Sequence, residues 1–150
     1  MHPLKIKFGP PEHGWMDVEL GDRKICASDV PCDSLYELIK AMNNFLCGSD
    51  REVVEWSLEP DYERWIFDRT EGQPMIHIVD SEDVRWVSVT NAEGIIEMIA
   101  GSLEKCYEKA FRSSATIGKN WSWDFPLESL RCLQKKLAEQ GAGGNVGQAR

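Results

Sequence analysis

Long apolar runs are missing from this 150-residue chain. Crossing a bilayer takes about 20 consecutive, mostly apolar residues, and no stretch of the sequence approaches that length. The first residues, Met-His-Pro-Leu-Lys, lack the basic segment followed by an apolar segment that a secretory signal peptide carries. These absences predict a cytoplasmic protein with no membrane partner.

Recognisable catalytic motifs are missing as well. The chain contains neither a glycine-rich phosphate loop nor a Gly-x-Ser-x-Gly turn. His77 falls within a predicted strand, where a half-buried structural role is favoured over a role as base or ligand. Cys32 precedes a predicted helix, whose amino terminus can lower the pKa of a thiol, so it is the cysteine to test as a nucleophile. The sequence favours a protein that is not an enzyme.

Metal-binding patterns are also scarce. The five cysteines form no Cys-x-x-Cys pair, and no pair of Cys or His residues stands at the spacing of metal ligands. An odd number of cysteines without a targeting segment predicts five free thiols in a reducing compartment. We therefore expect neither a metal nor another cofactor.

Positive charge is scarce in the first two-thirds of the chain. Lys and Arg total 17 against 25 Asp and Glu, a net charge of −8. Residues 1–100 contain 9 basic and 20 acidic residues, whereas residues 101–150 contain 8 and 5. Because nucleic-acid affinity comes mainly from Lys and Arg neutralising phosphates, the sequence predicts no nucleic-acid partner. A basic protein would be attracted to the acidic two-thirds.

Hydrophobic patterning predicts an α+β fold. Residues 15–20 alternate apolar and polar side chains, and Gly21-Asp22 marks the turn of a hairpin. Further strands are predicted at residues 5–8, 23–27, 52–58, 63–69, 75–79 and 84–89. Helices are predicted from Ser34, from about Ala92 and from about Pro126. The order βββ-α-ββββ-α-α predicts an antiparallel twisted sheet of six to seven strands, with three helices on one face.

Local signals refine the ends of these elements. Ser34 with Glu37, and Thr90 with Glu93, stand at the spacing of a capping box. Residues 1–140 are predicted to form a single domain. Residues 141–150 are predicted to be a disordered tail, because this glycine-rich segment has almost nothing to bury.

An acidic, aromatic segment extends from Glu55 to Trp65 around Pro60. Its eleven residues include two tryptophans, one tyrosine and four carboxylates. Trp56 shares a strand face with two aliphatic residues and is predicted to lie in the core, whereas Tyr62 follows the turn and is harder to bury. Acidic side chains around a hairpin turn are commonly a solvated surface; a patch that contacts a partner is the alternative that the aromatic residues favour.

Trp15 is the second unusual aromatic residue. It shares a strand face with Asp17 and Glu19, opposite the apolar face. Trp and Tyr dominate interface hot spots, so Trp15 is either an interface anchor or a residue covered by a loop or helix. The predicted partner-binding residues are Trp15, Asp17, Glu19, Glu55, Glu59, Asp61, Tyr62 and Glu63. One of Trp121 and Trp123 is expected to fill the seam between the last helix and the sheet.

The stretch Trp56-Ser57-Leu58-Glu59-Pro60-Asp61-Tyr62, followed by Arg64-Trp65, resembles small cytosolic bacterial immunity-type proteins of polymorphic and contact-dependent toxin systems. The resemblance covers mainly residues 15–79, together with size, acidity and element order, and indicates no particular family. It implies a non-enzymatic inhibitor whose acidic face occupies the basic substrate site of a toxin domain, often a nuclease. Two alternatives remain: a structural or regulatory homo-oligomer such as a homodimer, and a small-ligand binder or enzyme with a site between sheet and helices.

Overall fold

The computed structural model describes residues 5–113 and 120–148, apart from the side chains of residues 86, 87 and 142–148. The described strands are β1 (Ile6–Phe8), β2 (Trp15–Leu20), β3 (Arg23–Ser28), β4 (Arg51–Ser57), β5 (Tyr62–Asp68), β6 (Met75–Asp80) and β7 (Arg85–Thr90). The described helices are α1 (Ser34–Leu46), α2 (Ala92–Cys106) and α3 (Leu127–Gln148); one π-helical turn, Tyr107–Phe111, continues α2. The predicted α+β fold and element order are confirmed.

The seven strands form one antiparallel sheet in sequence order. β3 and β4 pair through a single residue pair, Ser28 with Ser57, which are the last residues of their strands. Because these strands run in opposite directions, they overlap only at their ends. The sheet therefore consists of two ladders, β1–β3 and β4–β7, joined end to end; we call the contact between Ser28 and Ser57 the joint.

The hydrophobic core lies between one face of the sheet and the helices. Trp56 on β4 and Trp65 on β5 are fully buried, with ring centroids 5.2 Å apart. Phe8 from β1 packs on both, at 6.3 and 6.4 Å, so the short first strand closes the core across the joint. Burying an aromatic side chain contributes roughly 1.5–3 kcal/mol, so this three-ring cluster is a main connection between the ladders. The prediction that Trp56 lies in the core is confirmed.

Two helix caps differ from the sequence prediction by one residue, although both helices begin where predicted. The α1 cap is Asp33, whose carboxylate accepts a hydrogen bond from the Tyr36 amide at 3.1 Å. The Ser34 hydroxyl instead donates to the Glu55 carbonyl at 2.9 Å and ties the helix to β4. At α2 the cap is Asn91 rather than Thr90. Asp and Asn are as good as Ser or Thr at this position, and sequence spacing alone does not choose between adjacent candidates.

The segment before α3 fills the seam, as predicted. Trp121 is 2% exposed and belongs to the core, whereas Trp123 is 36% exposed. The helix then continues through Gln148. The described part of α3 thus includes residues 141–148, and residues 149 and 150 lie outside the described part. The disordered tail of residues 141–150 stays a prediction, as does the contribution of this segment to the domain.

Candidate protein-binding surface

A row of directly paired residues crosses the joint. Taken from β2, β3, β4 and β5 in turn, its members are Trp15, Ser28, Ser57 and Tyr62. Paired residues of an antiparallel sheet project from the same face. This row lies on the face away from the helices, because the adjacent residues Met16 and Trp56 are buried in the core. Three strand spacings separate the backbones of Trp15 and Tyr62, about 14 Å along the sheet.

The two ends of this row are accessible and its middle is not. Trp15 is 37% exposed and Tyr62 is half-buried, whereas both serines are buried. Trp15 and the Glu55–Glu63 hairpin are predicted to share a function although they lie far apart in sequence. The joint brings their aromatic residues into one row.

Four exposed carboxylates surround the row. Asp17 follows Trp15 on the same face of β2, and Glu55 precedes Ser57 on the same face of β4. Glu59 and Asp61 lie in the exposed turn between β4 and β5. With the two aromatic residues they form what we call the joint surface: Trp15, Asp17, Glu55, Glu59, Asp61 and Tyr62.

Three of these side chains have basic neighbours. The Asp17 carboxylate lies 3.7 Å from the Lys24 ammonium, with both side chains more than half exposed. Arg64 pairs with Glu55 across the ladder and donates a hydrogen bond to the Tyr62 hydroxyl at 2.6 Å. The Arg64 guanidinium also lies 4.7 Å from the Tyr62 ring centroid. A cation stacked on the ring and bonded to its hydroxyl holds Tyr62 in one orientation.

Glu63 does not belong to this surface, which corrects the prediction. Its strand neighbours Tyr62 and Arg64 are on the open face, so Glu63 projects to the core face and is fully buried. Arg23 on β3 donates from Nε to Glu63 Oε1 at 2.6 Å. Burial raises the pKa of the Glu63 carboxyl, and Arg23 opposes that rise without cancelling it. This ion pair links the two ladders from inside the sheet.

Glu19 is also a weak candidate for partner contact. It lies on the open face of β2, but its side chain is only 19% exposed and its carboxylate is 3.6 Å from the Lys5 ammonium. A largely buried carboxylate that already lies near an ammonium group would attract a basic partner less strongly. The remaining six predicted residues all lie on the joint surface.

The sequence analysis missed the residues around Asp29 that extend this surface. Asp29 is buried, and its Oδ2 accepts hydrogen bonds from the Ser122 amide at 2.8 Å and the Ser122 hydroxyl at 2.7 Å. The Trp123 indole N–H donates to the Asp29 carbonyl at 2.6 Å. The segment before α3 is thereby fixed beside the start of β2, where the Gly14 carbonyl accepts from the Asp29 amide. In the sequence, the only sign of this role for Asp29 is that the strand pattern of β3 stops at Asp29-Val30-Pro31.

Three exposed apolar residues are linked to Asp29: Val30 follows it in the chain, Trp123 donates to its carbonyl, and Trp15 follows Gly14, whose carbonyl accepts from the Asp29 amide. Val30 and Tyr36, on the chain between β3 and the first turn of α1, are 43% and 42% exposed. Together with Trp15 and Trp123 they make four of the seven large exposed apolar residues identified in the described part of the chain. We call these four residues the apolar cluster.

His77 lies in a polar pocket that Arg51, Asp68, Glu71 and Arg85 also line. The described residues contain no group of three or more His, Cys, Asp or Glu side chains placed to hold a metal ion. His77 Nδ1 lies 2.8 Å from the Ser88 hydroxyl, its direct partner across β6 and β7. Burial is the main cause that lowers the pKa of His77. All five cysteines are free, as predicted, and burial raises the pKa of the Cys106 thiol to about 12.

Comparison with known proteins returned no match among family models, curated proteins or solved structures. Within residues 5–113 and 120–148, no helix has the length and apolar character needed to cross a membrane.

Proposed function

We propose that this chain is a non-enzymatic module that binds a basic protein through the joint surface and the apolar cluster. The resemblance to immunity-type proteins suggests the partner's class: a toxin domain with a basic substrate site. Binding would neutralise the toxin by occupying that site.

The observation that carries the proposal is the joint, which brings the aromatic residues Trp15 and Tyr62 into one row beside exposed carboxylates. Single exposed apolar residues are ordinary on a protein surface, but several in one region indicate an interaction site. Trp15 and Trp123 each present a large aromatic surface from a fixed backbone. Trp123 is also held by its hydrogen bond to Asp29, so little conformational freedom would be lost when a partner covers it.

Charge supports a basic partner over a second copy of this chain. Asp17, Glu55, Glu59 and Asp61 are exposed, and only Asp17 has a basic side chain within 4 Å among the described residues. A twofold dimer through this surface would place these carboxylates against their own copies. Like charges facing each other at an interface oppose association, whereas a basic partner gains from the same arrangement.

The first test is affinity capture from the native cell with variants compared in parallel. Trp15→Ala removes the aromatic anchor at the joint. Met98→Ala is the matched control, since Met98 is 43% exposed but lies on α2. We expect a specific basic protein that wild type and Met98→Ala retain and Trp15→Ala loses.

The second test measures binding kinetics with the captured partner after purification. Loss of a hot-spot tryptophan costs about 2 kcal/mol or more, which corresponds to a roughly 30-fold faster dissociation for Trp15→Ala. Replacing Glu55, Glu59 and Asp61 together by their amides should mainly slow association. Replacing Glu97, Glu108 and Glu128 by glutamine removes the same charge from other exposed positions and should slow association less. Raising salt should also slow association, because charge attraction is screened within about 8 Å at physiological ionic strength.

Equal retention of every specific partner by wild type, Trp15→Ala and the triple amide variant would refute this surface as the interface. Capture of acidic proteins alone would refute the proposed charge complementarity. Reversible self-association that Trp15→Ala abolishes would replace the basic partner with a second copy.

A further inference from the structure

Three chain segments that are far apart in sequence meet where Trp15 begins β2. They are the turn before β2, the residue after β3 and the segment before α3. The Gly14 amide donates to the Asn120 carbonyl at 2.8 Å, and the His13 amide donates to the Asn120 side-chain oxygen at 3.3 Å. The Asp29 amide donates to the Gly14 carbonyl at 2.9 Å. The segment before α3 is therefore bonded to the turn before β2 as well as to Asp29.

The Asp29 side chain is enclosed between these segments. It is only 6% exposed, and a methyl group at the Cβ position of Gly14 would lie 3.1 Å from Asp29 Oδ1. The φ of Gly14 is +84°, a conformation that glycine adopts without strain. Backbone conformation and close approach thus both favour glycine here. A carboxylate buried in this way is stable only if it is hydrogen-bonded.

The side chain and the backbone of Asp29 bind different neighbours. Its Oδ2 accepts from the Ser122 amide at 2.8 Å and from the Ser122 hydroxyl at 2.7 Å. Its backbone amide instead bonds to Gly14, next to Trp15. Removing the carboxylate therefore releases Ser122 but leaves the backbone contact beside Trp15 in place.

Trp123 directly follows the residue that the carboxylate holds. Its side chain is 36% exposed, and its indole N–H donates to the Asp29 carbonyl at 2.6 Å. While Ser122 is bonded to Asp29, the backbone of Trp123 starts from a fixed position and the indole stays within reach of that carbonyl. A side chain that is already ordered loses less conformational entropy when a partner covers it.

We propose that Asp29 is a positioning residue of the binding surface: its carboxylate holds Ser122 so that Trp123 is presented to the partner in one orientation. The inference rests on the proposed function and adds that the surface has two aromatic anchors positioned separately. The β2–β3 ladder positions Trp15, and the Asp29 carboxylate positions Trp123. Asp29 does not itself contact the partner, because it is buried.

The first test needs no partner and measures hydrogen exchange of the indole N–H groups by NMR. Asp29→Ala should accelerate exchange at Trp123 by about tenfold or more, because the indole bond opens more often, and exchange at Trp15 by less than about twofold. Asp29→Asn keeps an acceptor oxygen, so its effect at Trp123 should stay below about threefold. Unchanged exchange at Trp123, or equal acceleration at Trp123 and the buried Trp56, would overturn the positioning role.

The second test is a pair of double-mutant cycles on the affinity for the purified partner. Asp29→Ala should weaken binding about tenfold in wild type but less than about twofold in Trp123→Ala, because it acts through that side chain. In Trp15→Ala the loss should again be about tenfold, since the carboxylate is not bonded beside Trp15. A tenfold loss in all three backgrounds would overturn the inference.

The two tests separate this inference from the proposed function. Full partner binding by Trp15→Ala would refute the proposed interface, whereas the exchange result would still decide whether Asp29 orders Trp123. If Asp29→Ala does not fold, Ser122→Ala replaces it in both tests. That variant removes only the hydroxyl bond, and its effects should be about threefold in the same directions.

Discussion

Removing Arg23 should destabilise the protein strongly and in a pH-dependent way. The Glu63 side chain is 1% exposed, and its observed ion pair is with Arg23, whose side chain is 26% exposed. Replacing Arg23 by Met keeps much of the side-chain volume but leaves the carboxylate in the core without its guanidinium. The free energy of unfolding then falls because the ionised form of Glu63 is buried without compensation.

The structure sets the expected magnitude. Removing one partner of a buried pair costs about 3–5 kcal/mol, and the partial exposure of Arg23 places this pair near 3 kcal/mol at pH 7. Burial already raises the pKa of Glu63, and losing Arg23 raises it further. A carboxyl whose pKa is raised on folding contributes less to stability as pH increases from its unfolded value through its folded value. The deficit of Arg23→Met should therefore shrink as pH falls from 7 toward 5, by about 1.4 kcal/mol per unit of additional pKa shift.

Urea unfolding at pH 7 and pH 5, monitored by tryptophan fluorescence, measures both quantities. Replacing Arg23 and Glu63 together by Met should recover most of the loss, since apolar replacements of a buried pair are often neutral or stabilising. Lys24→Met is the control on the same strand, because its exposed pair with Asp17 should contribute under about 1 kcal/mol. A deficit below 1 kcal/mol for Arg23→Met, or one equal at both pH values, would refute the reasoning.

Three further outcomes follow from the same structure. Exposed thiols such as Cys26 should react with a disulfide reagent in the native state, whereas Cys106 should react only on unfolding; mass spectrometry of the labelled peptides would reveal early modification of Cys106. Asp29→Ala should lower the free energy of unfolding by about 2 kcal/mol through its lost hydrogen bonds to Ser122; a loss under 0.5 kcal/mol in urea would contradict this role. Ending the chain after Gln140 should change stability by less than about 1 kcal/mol, and a larger loss would show that the extension of α3 packs on the domain.

The secondary structure could be predicted well from the sequence because each strand and helix has a clear local pattern of apolar, polar and turn residues. β2 alternates apolar and polar residues over its whole length, and the Gly21-Asp22 turn follows it directly. The capping residues were predicted less accurately, since Asp33 and Ser34 are both good caps and only the contact of Ser34 with Glu55 distinguishes them. Sequence patterns identify the candidate capping residues, and tertiary contacts determine which of them caps the helix.

The candidate surface was predictable only in part. The exposure of Trp15 follows from the alternation in β2, and the exposure of Glu59 and Asp61 follows from their turn around Pro60. Glu63 was misplaced because an acidic residue beside the turn was assumed to be exposed, although it shares the core face of β5 with Trp65 and Phe67. Alternation along the strand places Tyr62 and Arg64 on the opposite, open face.

The strands, the helices, the apolar face of each element and the acidity of the first hundred residues follow from local sequence patterns, because each depends on neighbours along the chain. The pairing of β3 with β4 at Ser28 and Ser57, which puts Trp15 and Tyr62 in one row, depends on long-range contacts. Tertiary packing also places Ser122 and Trp123 against Asp29. Such contacts join residues that are 29 to 94 positions apart in the sequence, where local propensity carries no information; they arise from packing around the buried aromatic core.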